Sequence, residues 1–357
     1  AVVHDWLNGM RGGEKVLEAI LPLLPEPTIF TLFHVPGSVS HEIERYPIEV
    51  SWLNRLPLAR RKYRNYLPLF PAAVEAFDLS GFDLVVSSSH CAAKGAIARS
   101  GAPHLCYCHT PMRYAYEQFE AYFPRKTRWR RLKALAIARL RAWDIATAGR
   151  PTRYLANSSA VRERIRRHYG RDATVCHPPV DVEFFHPSGS TRSDFLLAVG
   201  ALVPYKKFEH AIGAARLLGL PLTIVGKGPE HRRLRALAPA SVQFLPEVTP
   251  EELRELYRTC AVFVQPGEED FGIAAAEALA CGAPIVALKR GGVLDIAKDG
   301  AEGELFETEG TEGLAAAVRG AVHRRFDYTE LARSARRFGR ERFLREFGEQ
   351  LDIVLDR

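Results

Sequence analysis

Short apolar, β-branched runs recur along this chain with a helical stretch between successive runs, and that alternation limits the fold more than any single motif does. After a leading Val2-Val3, the first half carries such runs at Thr28–Phe33, Phe82–Ser87, His104–Cys108, Arg153–Asn157 and Thr174–His177. The second half carries them at Phe195–Val199, Leu222–Val225, Val242–Leu245, Ala261–Gln265 and Pro284–Ala287. Strands that are apolar throughout are buried on both faces, and strands that alternate with helices form parallel sheets covered by those helices. The reading is an α/β protein of two doubly wound, Rossmann-like sheets. A length of 357 residues accommodates two such domains, each with its own core. Phe185-His186-Pro187-Ser188-Gly189-Ser190 is the expected linker, giving a first domain over 1–187, a second over 188–335 and a helical tail over 336–357.

The most informative single stretch is 261–300. A strand at Ala261–Gln265 stops at Pro266-Gly267, the acids Glu268, Glu269 and Asp270 follow, and Phe271-Gly272 opens an alanine-rich helix over Ile273–Ala280 that Gly282 closes. Glu269 then sits in the loop at the positive end of that helix, and Glu277 stands about 7 Å farther along the axis at ~1.5 Å per residue. Open α/β sheets hold ligands outside the carboxyl ends of their strands. The backbone N–H groups of Phe271, Gly272 and Ile273 are placed there to meet a phosphate.

Other strand ends carry comparable chemistry. Gly12-Gly13 lies between the first strand and a helix, where backbone can approach an anion closely. His109 follows the strand His104–Cys108 and is expected to line a cleft rather than the core. In the second half, Lys206 and Lys207 follow the first strand, where an ammonium can neutralise a diphosphate. Leu245-Pro246-Glu247 ends another strand. His104, Cys106, Cys108 and His109 resemble a metal cluster only on paper, because on a strand 104, 106 and 108 share one face and 109 points away.

Charge is uneven. Residues 1–187 hold 26 Lys and Arg against 17 Asp and Glu, and residues 188–357 hold 23 against 25, so the net charge of +7 belongs to the first half. Its basic residues cluster with aromatics and leucines at Ser51–Pro71 and Pro124–Asp144, which suits an anionic lipid surface. No nucleic-acid module is recognisable, so nucleic acid is not the expected partner. No apolar run reaches the ~20 residues that span a bilayer. The six cysteines show no Cys-x2-Cys spacing and are expected to be buried thiols of a cytoplasmic protein.

With its Pro-Gly, Ala-Cys-Gly-Ala-Pro and Gly291-Gly292 surroundings, Glu269-Asp270-Phe271-Gly272 with Glu277 resembles the signature of the retaining nucleotide-sugar glycosyltransferases of family 4. The resemblance covers nearly the whole chain and implies the two-domain GT-B fold, with the tail crossing back to the first domain. It implies transfer of a hexosyl unit from a nucleoside diphosphate sugar, GDP or UDP, with retention, no metal and no resident cofactor. By the family pattern His109, Glu269 and Lys206 serve the reaction: Glu269 holds sugar hydroxyls and His109 lies beside the donor sugar. Gly12 and Gly13 face the pyrophosphate, Lys207 assists Lys206, Pro246 belongs to the loop at the base, and Glu277 takes the ribose diol. The proton of the attacking hydroxyl can pass to the departing phosphate. Two positions depart from the pattern: Ala201 replaces the usual Arg and Asp295 the usual Glu.

His4-Asp5-Trp6-Leu7, the segment Cys108–Tyr114 and Val203-Pro204-Tyr205-Lys206-Lys207 look most like bacterial mannosyltransferases of O-antigen or exopolysaccharide assembly. That likeness implies GDP-mannose, a glycan or lipid-diphosphate-linked acceptor and a place on the inner face of the cell membrane. Two alternatives remain: a nucleotide-sugar epimerase of the same fold, and a non-enzymatic protein that binds membrane surfaces or nucleic acid.

Overall fold

The computed structural model describes residues 1–116, 130–189 and 191–356, and it divides into two compact units. The first comprises Ala1–Pro179 with Glu341–Arg357, the second Val180–Arg340. The expected linker thus falls inside the second unit, where the buried Phe185 ring packs at 5.8 Å from Tyr257.

The first unit is built on seven strands: β1 (Val2–His4), β2 (Ile29–Thr31), β3 (Ile48–Val50), β4 (Val85–Ser89), β5 (His104–Cys108), β6 (Arg153–Ala156) and β7 (Thr174–Val175). They pair in parallel in the order β3-β2-β1-β4-β5-β6-β7. The side chains of β5 alternate as a strand buried on both faces requires. Leu105 and Tyr107 join a core with Phe343, Phe347 and Leu351 of the C-terminal helix Arg340–Leu355. Cys106 and Cys108 pack on the other side with Tyr154, Val161 and Ile165. All six cysteines are free and buried, and burial pushes Cys106, Cys176, Cys260 and Cys281 up to about 12, so none of these four is a ready thiolate at neutral pH.

The second unit has six parallel strands: β8 (Leu196–Val199), β9 (Leu222–Val225), β10 (Val242–Leu245), β11 (Val262–Gln265), β12 (Ile285–Leu288) and β13 (Gly303–Phe306). Their order is β10-β9-β8-β11-β12-β13. In both units the winding reverses beside the first strand, between β1 and β4 and between β8 and β11, and each reversal opens a crevice at the carboxyl ends.

Two strands fell outside the apolar-run reading, both at sheet edges. β3 is only half buried and exposes Glu49, and β13 begins with Gly303-Glu304, so neither presents a continuous apolar run. β4 starts three residues later than expected and ends in three serines, which the sheet nevertheless buries.

One buried ion pair fastens the first unit's outer helix. Lys94 Nζ lies 3.0 Å from Asp144 Oδ1, both side chains being buried, and also donates to Thr147 Oγ1 at 3.0 Å. The other oxygen of Asp144 accepts from the Tyr116 and Tyr169 hydroxyls at 2.7 and 2.9 Å. The pair ties the helix Arg130–Ala146 to the turn after β4. Of the two basic stretches, Arg125, Lys126, Arg128 and Trp129 lie outside the described residues, as do the side chains of Arg60, Arg61 and Arg130. Among the described residues no helix is long and apolar enough to cross a membrane.

Candidate functional site

In the second unit the chemistry gathers where β8 and β11 end. After β8 the chain makes a single 3-10 turn over Pro204–Lys206 and passes through Lys207, held at φ +55°, into the helix Phe208–Leu218. After β11 it runs through Pro266-Gly267 to Glu269, and Gly272 caps the helix Ile273–Ala280. Lys206 Nζ donates to Glu269 Oε1 at 2.8 Å, with 13% of the lysine and 19% of the glutamate side chain exposed.

Backbone crowding holds this pair in place. A Cβ on Gly267 would stand 2.3 Å from the Tyr205 carbonyl oxygen and 2.8 Å from Lys206 Cα, so only glycine lets the two loops touch. From the opposite side Gly292 N–H donates to the Glu269 carbonyl at 2.9 Å, and Gly291 at φ +78° approaches so closely that a Cβ would lie 2.3 Å from that oxygen. The Gly-Gly pair after β12 is therefore a backstop for the acid loop.

Glu277 stands one turn into the helix and is buried; its Oε2 accepts from the Tyr257 hydroxyl at 3.1 Å. Burial, with the nearby Glu277 charge added, holds the Tyr257 phenol well above its ordinary range, so it remains a donor. Phe271 turns inward: its ring is buried against Phe338 at 5.4 Å, which seats the loop.

Two expected members lie apart. Lys207 Nζ points to Glu309 Oε1 at 3.2 Å rather than toward Glu269. The left-handed twist at Lys207 separates two adjacent lysines that a sequence reading groups together. Pro246 is exposed at the end of β10, two strands out from β8, and beside it Glu247 pairs with Lys227 at 2.5 Å.

In the first unit Gly13 and His109 come together: a Cβ on Gly13 would lie 3.8 Å from the His109 ring, and at the same distance from His4. Gly12 is the first residue of the helix Gly12–Ile20, whose N-terminus carries a capping box in which Arg11 N–H donates to Glu14 Oε2 at 3.0 Å. His109 Nε2 shares a hydrogen bond with Ser88 Oγ at 2.9 Å. Burial, then the His90 and His4 charges, depress its pKa well below the ordinary value, so the imidazole is neutral at neutral pH.

Sequence reasoning missed the groups around it. His4 and Asp5 are fully buried at the end of β1, and His90 follows β4. Glu14 lies 3.8 Å from His4; burial alone would raise its carboxyl, but the neighbouring His4 and the His90 charge bring it net below the usual range. For His4 and Asp5 the signal was the one used for His109, an ionisable side chain directly after an apolar run; His90 follows three serines and Glu14 lies within a helix, so neither carried it. Tyr257 gave no such signal, because it occupies an ordinary buried helix position.

The geometry of the second unit can hold an anion at Lys206 and the helix start, with carboxylates placed for hydroxyl groups. Comparison with known proteins agrees with that character. Residues 26–184 match the family model described as Glycosyltransferase Family 4, and residues 182–342 match Glycosyl transferases group 1. A D-inositol 3-phosphate glycosyltransferase of Geodermatophilus obscurus is 34% identical over 206 residues, 48% of this chain and 46% of that one. A GDP-mannose-dependent alpha-mannosyltransferase of Mycolicibacterium smegmatis is 32% identical over 204 residues, covering 54% of each chain. The chain thus spans about half the length of these relatives. Among solved structures, Anabaena HepE in complex with UDP and glucose superposes with a TM-score of 0.76 at 19% identity, covering 99% of both chains. Sucrose-phosphate synthase from Thermosynechococcus elongatus gives 0.76 at 18% identity over 99% of both. These two likenesses are of fold, which is GT-B.

Gly267→Ala is expected to push the Tyr205–Lys206 turn off the acid loop. Denaturant unfolding should show a loss of about 1–3 kcal/mol, and an unchanged midpoint would contradict the crowding described.

Proposed function

Because its two halves match the Glycosyltransferase Family 4 and Glycosyl transferases group 1 models in succession, the chain belongs to the glycosyltransferases of family 4, and we propose that it transfers a hexosyl unit from a nucleoside diphosphate sugar to a hydroxyl acceptor. The observation that carries this reading is the Lys206–Glu269 pair at the reversal of the second sheet, with Glu277 behind it. As the bond between the anomeric carbon and the diphosphate breaks, negative charge grows on the departing phosphate. An ammonium already fixed in place and the amides at the helix start meet that charge without reorganising. Those groups would serve in place of a metal, and the sugar nucleotide is substrate rather than cofactor. Glu269 would hold sugar hydroxyls, Glu277 the ribose diol and His109 the sugar near the reacting carbon, with retention of configuration.

For the donor we propose GDP-mannose, which is in keeping with the mannosyltransferase relative. The acceptor would be a glycan or a lipid-diphosphate-linked saccharide of surface polysaccharide synthesis. The first unit offers a matching surface: Leu132, Leu135 and Ile145 are 60%, 50% and 46% exposed on the helix Arg130–Ala146, among the exposed Arg131, Lys133, Arg139 and Arg141. Leucines between cations suit an anionic headgroup layer at the inner face of the cell membrane.

A thermal-shift screen of GDP-, UDP- and ADP-sugars tests the donor: a ligand at a hundredfold its Kd stabilises the folded chain by about 2.7 kcal/mol. GDP-mannose is expected to raise Tm. Glu277→Ala should weaken donor affinity about tenfold or more, and Lys206→Ala should lower kcat about a hundredfold or more. Unchanged kinetics in both variants would remove the site assignment. For the surface, the full chain should sediment with vesicles containing phosphatidylglycerol, and Leu132→Glu with Leu135→Glu should abolish this; sedimentation unaffected by the double change would contradict that surface.

A further inference from the structure

The strand that leads into the acid loop ends on a residue that core packing does not explain. Val262 and Val264 of β11 belong to the core that holds Ile212 and Leu314. Phe263 turns the other way, into the core that holds Ala275, Ala276 and Leu279 of the helix Ile273–Ala280. Side chains alternate along a strand, so Gln265 lies on the Phe263 face, on the side of that helix. It is 4% exposed, and among the described residues its Nε2 has no hydrogen-bond partner. A buried amide without a partner costs free energy that an apolar side chain at the same place would not.

The amide lies against the start of the helix. A Cβ on Gly272 would stand 2.7 Å from Gln265 Oε1 and 3.5 Å from Cδ and Nε2, so the side chain reaches forward to the cap residue. The sheet is open beside it: β11 pairs with β12 as far as Gln265 and Ala287, but its pairing with β8 stops at Phe263 and Leu197. Gln265 therefore stands where the sheet splits, on the strand that leads to Glu269 and beside the strand that leads to Lys206. A terminal amide can turn over, so its NH2 group can take either of its two end positions, both close to Gly272. An amide NH2, the N–H groups of a helix start and an ammonium are all donors, and a phosphate has oxygens enough to accept from all three.

We propose that Gln265 is a phosphate-binding residue of the donor site, its side-chain NH2 donating to the sugar-bearing phosphate of the nucleoside diphosphate. This rests on the nucleotide-sugar reading above, which places that phosphate at Lys206 and the helix start. Gln265 exchanges no proton and forms no covalent bond. Because the amide is uncharged, its burial strands no charge when nucleotide is absent. Its hydrogen bond strengthens as the electron pair of the breaking sugar–phosphate bond passes to the diphosphate.

Gln265→Met keeps the length of the side chain and removes its hydrogen-bonding groups, and Gln265→Leu is a second apolar replacement. Each is compared with the wild-type full chain and with Glu277→Ala, for the unfolding midpoint in denaturant without nucleotide and for affinity toward GDP, UDP, GMP and UMP by calorimetry. Because an unpaired amide is removed, the midpoint is expected to stay at or above the wild-type value. Affinity for the diphosphate that the wild type binds is expected to fall about tenfold, with affinity for the matching monophosphate within twofold of wild type. An amide that only braced the loop would lower the midpoint and weaken diphosphate and monophosphate alike, and that result would overturn the assignment. So would a diphosphate affinity within twofold of wild type in both variants. A wild type that binds neither GDP nor UDP sinks the donor reading and Gln265 with it. Diphosphate binding that Glu277→Ala weakens and neither Gln265 variant changes sinks only the role of Gln265.

Discussion

The contact between Lys206 and Glu269 is the interaction on which the site depends. A largely buried pair of this kind loses hydration as it gains attraction and is not by itself a strong source of stability, and here the surroundings rather than the charges secure it. Gly267 lets the acid loop lie on the Tyr205–Lys206 turn, and Gly291-Gly292 supports the loop from behind through the Glu269 carbonyl. Phe271 anchors the following residues by burying its ring against Phe338. A cation fixed by backbone contacts beside a helix start is suited to meet charge that appears only as a bond breaks.

The two sheets have related windings and opposite electrostatic outcomes at their reversals. In the second unit the crevice carries a lysine with the positive end of a helix. In the first, the amides that a nucleotide phosphate would use after β4 are already occupied by Asp5. Around that filled position stand His4, His90 and His109, and burial keeps His90 and His109 below the ordinary histidine pKa. An internal carboxylate thus takes the anion position, and the lowered pKa values of His90 and His109 leave no cationic cradle in their imidazoles.

Much of this was legible because parallel strands buried on both faces leave continuous apolar runs, and ligand groups sit directly after them. Glu269, Lys206, Gly13 and His109 were each singled out in segments that follow such runs, and Glu277 by its place in the helix after Phe271-Gly272. What stayed hidden depends on pairings between distant residues. The partnership of Glu277 with Tyr257 spans 20 residues and that of Lys207 with Glu309 about a hundred. The Asp5 contacts require knowing that β4, some 80 residues on, lies beside β1. Edge strands β3 and β13 escaped for a simpler reason: half exposed or opened by glycine, they lack the apolar signature.

The most direct test of the central claim is to map amide and lysine side-chain resonances of the isotopically labelled full chain while titrating GDP and UDP. The account predicts that shifts concentrate at Lys206, Glu269, Gly272 and Ile273 of the second unit. Shifts confined to Gly12, Gly13 and residues 90–93 of the first unit, or none at saturating nucleotide, would contradict it.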